Sequence, residues 1–215
     1  MNSDIVKILI VLVIAVISVI LHELAHGITA YFLGDKTAKY AGRLTLNPIK
    51  HVDPFMSILI PVVLYIIGGP VFGAAKPVPI VPQNLKGKEW GMALVAIAGP
   101  LTNFLIALIA FLIGYFTGVL TNDPTSICYF IFGEIVYLNL GFLLFNLIPI
   151  PPLDGSRVLY AIAPDGVREL MNKLEGVYGF IVIYALILLL GNVFSNLMIN
   201  GMNAILDFFY MLVGA

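Results

Sequence analysis

The chain has 215 residues, 60% of them hydrophobic and only 11% charged, with a formal net charge of −1 and a mean hydropathy of +1.04. Soluble domains hold about 45–50% apolar and about 25% charged residues, and a globule of this length has too little interior to hide the excess. The composition predicts an all-α, polytopic helical membrane protein. It excludes a disulfide scaffold, since Cys128 is the only cysteine, and equally a nucleic-acid reader or a disordered tail.

Residues 5–33 form the first long apolar segment, interrupted after Lys7 only by His22, Glu23 and His26. A single early Lys7 and the lack of a small-residue cleavage site mark a retained helix, not a signal peptide. Residues 55–75 are apolar but carry Pro61, Gly68, Gly69, Pro70 and Gly73, so their second half is a poor helix. Residues 91–118, 127–148 and 176–194 are each long enough to cross about 30 Å of hydrocarbon. Residues 195–213 put Asn196, Asn200, Asn203, Asp207 and Tyr210 on one stripe. A structural packing helix is the favoured reading there, ahead of an interfacial helix or a span with its stripe turned inward. The expectation is about five to six membrane helices in a single domain, residues 1–215, without repeats or a separate soluble domain.

Basic residues decide how 55–75 runs. If it spans, four of the eleven Lys and Arg residues fall on one side and seven on the other. If it enters and returns, ten fall together and only Lys7 lies opposite, which the positive-inside rule favours. This predicts a helix entering from about residue 54 and an extended, re-entrant return through Gly68–Pro79, with a short hairpin near the active site. Irregular backbone at depth requires protein or a wet cavity around it. The same rule runs the first helix toward the cytoplasm, with His22 and His26 about 10–17 Å short of its end at 1.5 Å per residue.

His22-Glu23-Leu24-Ala25-His26 is the strongest chemical signal. A spacing of four puts both imidazoles on one helical face, able to grip one metal ion, with Glu23 beside them as a base toward water. Ionisable groups inside a membrane helix are costly and usually functional. A hydrolytic zinc site needs a third protein ligand, and the residues alone leave His51, Asp53, Glu134 and Asp154 open. His51 and Asp53 equally suit hydrogen bonds that orient ligands or a helix start at Pro54. Asn103 reads more simply as a helix–helix hydrogen bond, and Glu134 as a buried, paired or protonated acid held in reserve as a ligand.

The first motif, together with Asn146-x-x-Pro149-x-x-Pro152-Leu153-Asp154-Gly155, resembles the site-2 protease family of intramembrane zinc metalloproteases. His51-Val52-Asp53-Pro54, Ala75-Lys76-Pro77-Val78-Pro79 and Ala98-Gly99-Pro100-Leu101-Thr102-Asn103 extend the likeness to the compact prokaryotic branch, over roughly residues 18–160. The resemblance implies His22, His26 and Asp154 as ligands of one zinc ion per chain, and Glu23 as general base. It also implies Asn146 as an active-site group able to donate to the developing oxyanion. The expected partners are the lipid bilayer and a membrane-spanning protein substrate, in a prokaryotic plasma membrane with the site nearer the cytoplasm. The opened substrate would lie against strand edges offered by Gly68–Pro79 and Arg43–Leu46. The rival readings are a divalent-metal transporter, disfavoured by the concentration of polar residues at one motif pair, and a client-binding pseudoprotease, disfavoured by an intact Glu23.

Overall fold

The computed structural model of the chain describes residues 3–53, 59, 63, 66 and 75–215. The architecture is helical, with no strand among the described residues. Apart from residues 59, 63 and 66, the helix expected to enter from residue 54 lies outside the described residues, as does the Gly68–Ala74 part of the extended return.

Helix α1 (Ser3–Phe32) follows from an almost unbroken run of Ile, Val and Leu. Its first two thirds turn Ile5, Ile8, Leu9, Leu12, Val13, Val16 and Ile17 outward, while His22, His26 and Ala30 in its last third are buried. Gly34 ends it with a φ of +111°, and the Asp35 amide closes back on Ala30 O at 2.9 Å. That is the geometry of a glycine-terminated helix end, and it places Asp35 beneath the last turn. A short α2 (Thr37–Tyr40) follows.

Helix α3 (Glu89–Phe116) is the central element, against which α1, α4 (Ile127–Asn146) and α5 (Asp154–Ile162) pack. Its buried face consists largely of small residues: Ala96, Gly99, Asn103, Ala107, Ala110 and Gly114, spaced three and four apart. Such a face lets neighbouring backbones approach closely where lipid provides no hydrophobic drive between helices. Helix α4 begins at Ser126, whose hydroxyl accepts from Tyr129 N at 3.0 Å, an ordinary N-cap.

Helices α1, α3 and α4 are long and apolar enough to cross a membrane. The pair α6 (Asp165–Lys173) and α7 (Val177–Leu189), bent by 88°, passes that test only as one broken span. The described chain therefore holds three or four candidate spans, where the sequence suggested five to six. The physical reason is local. Helix α6 carries Asp165, Arg168, Glu169 and Lys173, and thirteen residues of α7 reach only about 20 Å. Helix α8 (Gly191–Leu212) buries Phe209 against Phe111, Val136 and Leu140 of α3 and α4. Its Asn196, Asn200, Asn203 and Asp207 are exposed, so it packs on the bundle with the polar stripe outward.

Candidate metal centre

Three side chains distant in sequence converge on one point. His22 Nε2 and His26 Nε2 lie 3.0 Å apart, and Asp154 Oδ2 lies 3.1 Å from the first and 3.3 Å from the second. Both rings come from one face of α1. Asp154 arrives from the first turn of α5, where a helix N-terminus favours a negative charge. Gly155 permits that arrival, because a Cβ there would sit 2.2 Å from Leu147 O.

The outer nitrogens of the two rings settle their tautomers. His26 Nδ1 faces Val95 O at 2.7 Å, and a carbonyl can only accept, so Nδ1 carries the proton. His22 Nδ1 faces Asn103 Oδ1 at 2.6 Å, and a chain of contacts fixes that amide. Asn139 Nδ2 donates to Ile135 O at 2.8 Å and to Ser18 Oγ at 2.9 Å. Its oxygen therefore faces Asn103 Nδ2, at 2.8 Å, and Asn103 presents its own oxygen to His22. Both rings thus hold their proton on Nδ1 and turn a lone pair inward at Nε2.

The 3.0 Å approach of the two Nε2 atoms is then a meeting of two lone pairs, not a hydrogen bond between neutral rings. Asp154 Oδ2 is buried beside them with no hydrogen-bond donor. Three inward lone pairs, one of them anionic, suit a cation. Tetrahedral zinc with bonds of about 2.0–2.1 Å spaces its ligand atoms about 3.3 Å apart, close to the triangle found, and two imidazoles with a carboxylate are a hydrolytic donor set. The residues fit zinc.

Gly99 forms the wall behind the rings. A Cβ there would fall 2.5 Å from His26 Cε1 and Nε2 and 2.6 Å from His22 Cε1. Asn103, one turn further along α3, belongs to the same wall. Sequence reasoning gave Asn103 only a helix–helix role and did not single out Asn139, Ser18 or Gly99 for the site. The available signal was the i, i+4 pairing of Gly99 with Asn103 on an otherwise apolar membrane helix, with a second asparagine on another.

Glu23 points to a different wall. Its Oε2 accepts from Val78 N at 2.8 Å, so an extended stretch, residues 75–81, holds the carboxylate. This bears on the expected strand edge. Val78 N–H is already committed, and Pro77 and Pro79 have no N–H to offer. The described half of the return is therefore a poor template for pairing, and a Val78→Pro change would disturb Glu23 as well as any docked substrate.

The other candidates make contacts of their own. Asn146 is the last residue of α4 and donates to Phe142 O at 3.0 Å, one turn back. His51 is buried and pairs with Thr45 O at 2.8 Å. Neither His51 nor Asp53 belongs to the three-residue cluster, and the proposed helix start at Pro54 is outside the described residues. Glu134 is only partly buried and lines a groove with Lys7, Tyr129 and Tyr137, outside that cluster.

A cluster of two histidines and an aspartate able to hold a metal ion, with a glutamate one residue from the first histidine and both histidines on a membrane-length helix, points to the class of metal-dependent membrane hydrolases. Residues 9–130 match peptidase family M50, the site-2 protease family, and the chain belongs to it. YwhC of Bacillus subtilis, provisionally named a zinc metalloprotease, is 44% identical over 176 residues, 80% of this chain and 76% of its own. Rip2 of Mycolicibacterium smegmatis, with a name of the same provisional kind, is 31% identical over 182 residues, covering 83% and 67%. Zinc metalloprotease MJ0392 of Methanocaldococcus jannaschii is 28% identical over 146 residues, covering 68% of this chain and 32% of its own. No solved structure matches.

Proposed function

We propose that the 215 residues act as one catalytic unit that hydrolyses peptide bonds of membrane-embedded proteins with a single zinc ion held by His22, His26 and Asp154. Membership of peptidase family M50 makes the chain an intramembrane zinc metalloprotease. The observation that carries the assignment of residues is the convergence of three lone-pair atoms within 4.8 Å, two with tautomers set by fixed acceptors. Zinc bound there supplies the positive charge that acidifies water and polarises a carbonyl.

The chain's own groups divide the remaining work. Glu23 takes a proton from water and returns it to the leaving amine. Asn103 and Val95 O keep both imidazoles turned to the metal. Asn146 releases Phe142 O and donates its amide to the charge developing on the attacked carbonyl oxygen. The distribution of Lys and Arg favours a site nearer the cytoplasmic face, and the compact form of the chain supports a prokaryotic plasma membrane. A cysteine introduced near Arg157 is then labelled from the cytoplasm, and one near Asp123 is not.

The test is metal content per chain in detergent, read beside cleavage of a membrane-segment peptide. Wild type carries about one zinc, and His26→Ala and Asp154→Ala lose it. Glu134→Ala keeps zinc and activity, while Glu23→Gln keeps zinc and loses turnover by about 10²- to 10⁴-fold. Zinc retained by Asp154→Ala but lost from Glu134→Ala would overturn the ligand assignment.

A further inference from the structure

A second polar system lies in residues 33–51 and 75–86, apart from the zinc ligands, and the hydrolytic steps leave it unused. Asp35 is 1% exposed, yet its carboxylate gathers four donors. Oδ1 accepts from Thr37 N at 3.0 Å, Thr37 Oγ1 at 2.5 Å and Asn84 Nδ2 at 3.2 Å. Oδ2 accepts from Val81 N at 2.6 Å. At the other end of the same extended stretch, Arg43 Nη2 donates to Lys76 O at 2.6 Å, and Lys76 N donates to His51 O at 2.9 Å. Arg43 is itself buried, at 7% exposure.

These contacts bracket the one that matters to Glu23. Lys76 is pinned two residues before Val78, and Val81 three residues after it. Between the pins the Val78 amide holds Glu23 Oε2 at 2.8 Å. The stretch has no strand partner among the described residues, and side chains of the preceding loop hold both of its ends. A segment with no ladder of its own otherwise samples many positions on the scale of an ångström, and a displacement of about 1 Å in a reacting group can cost about 10²-fold in rate.

We propose that Asp35 is a positioning residue for Glu23, acting through the backbone of residues 76–81, with Arg43 anchoring the opposite end. The proposal rests on the reading of Glu23 as general base. Asp35 never touches substrate or metal. It holds the strip of chain on which the carboxylate leans, and so sets where the proton is taken up.

The atoms allow a sharp test. Asp35→Asn keeps an oxygen for the three donors on Oδ1 and places an amide N–H₂ against Val81 N–H, so it opens the clamp while leaving the turn into α2. Thr37→Val removes one bond to Asp35 and leaves the clamp closed. With full-length, zinc-loaded enzyme in detergent, Asp35→Asn is expected to lower kcat about 10- to 100-fold. KM stays within about twofold, zinc content stays that of wild type, and Thr37→Val behaves like wild type. Hydrogen exchange of residues 76–85 should quicken in Asp35→Asn, in zinc-stripped as well as zinc-loaded protein. If Asp35→Asn fails to fold, Arg43→Gln opens the other end and must give the same pattern. Wild-type kcat in the clamp variant beside an inactive Glu23→Gln overturns the proposal and leaves the base reading intact. An active Glu23→Gln overturns both. Loss of zinc or a uniform loss of stability, without faster exchange at 76–85, assigns Asp35 a purely structural role and also overturns it.

Discussion

Two walls of the site are built on different principles. The wall behind His22 and His26 is helix packed on helix, with small residues of α3 brought against α1, a file of side-chain amides fixing the His22 ring and the Val95 carbonyl fixing that of His26. The wall behind Glu23 is extended chain with no strand partner among the described residues, held at both ends by loop side chains. One turn of α1 serves both, because residues 22 and 26 share a face and residue 23 lies about 100° away. Metal ligands need permanence, and rigid elements provide it. A base that must meet a substrate needs a setting that is fixed but not walled in, and a pinned segment provides that.

The most severe break falls on the helical wall, and a glycine on the other wall gives the contrast. Gly99→Ala would push a methyl to 2.5 Å from the His26 ring and 2.6 Å from that of His22, and the rings cannot yield without leaving Val95 O and Asn103. Zinc content and cleavage are both expected to vanish in a protein that remains helical by circular dichroism. Gly27 sits on the Glu23 side, where an added Cβ meets the end of Leu44 at 2.5 Å and Val78 Cγ1 at 3.1 Å. Leu44 can swing aside, so Gly27→Ala should retain zinc and lose only a few-fold in turnover.

Asn103→Leu sharpens the comparison by removing an orienting group and no ligand. His22 Nδ1 loses its acceptor, and zinc affinity measured against a chelator should fall about 10- to 100-fold. Next in size is the metal's contribution to stability. The triad ties α1 to α5, so free zinc at 100 times its dissociation constant should stabilise the fold by about 2.7 kcal/mol. Asp154→Ala should abolish that shift in thermal unfolding.

The smallest effect belongs to the loop wall. Burial alone would raise the Asp35 carboxyl, and its bonds from Thr37, Val81 and Asn84 more than reverse this, holding it below the usual 3.8. A pKa lowered in the folded state gives stability that is present above the unfolded value and is lost as pH falls through the folded one. Wild type and Asp35→Asn should therefore differ in melting temperature at pH 5 and converge as pH is taken below about 3.8. A constant difference across that range would remove ionisation from the account of the clamp.

Much of the helical wall was legible in the sequence. Apolar runs at 5–33, 91–118 and 127–148 correspond to helices Ser3–Phe32, Glu89–Phe116 and Ile127–Asn146, because a long apolar run has few alternatives to a helix. His22, His26 and Asp154 meet as the family resemblance implies, whereas the residues alone had left the third ligand open among four. The span count was less legible, since hydropathy along 176–194 says nothing of the sharp bend before it. Asp35 was not legible at all. Its donors are Thr37, two residues on, and Val81 and Asn84, more than forty on, and only the first was available to a local reading as an Asp-x-Thr turn. Asn103 was read as a helix–helix hydrogen bond, and it makes two, to His22 and to Asn139. A polar residue in a membrane helix announces a partner but not which one, so the link to His22 in particular was not legible.

The amide file behind His22 ends on a peptide carbonyl, that of Ile135. Side-chain amides can be read either way round, and a closed ring of them would have two equivalent settings. A terminus made of main chain removes that ambiguity, since it accepts and never donates whatever side chain stands at 135. The handedness of the whole file, and the lone pair it leaves on the metal-facing nitrogen, is thus inherited from the helix backbone. Substitution can lengthen or cut this file, but no change of side chain at its anchored end can reverse it.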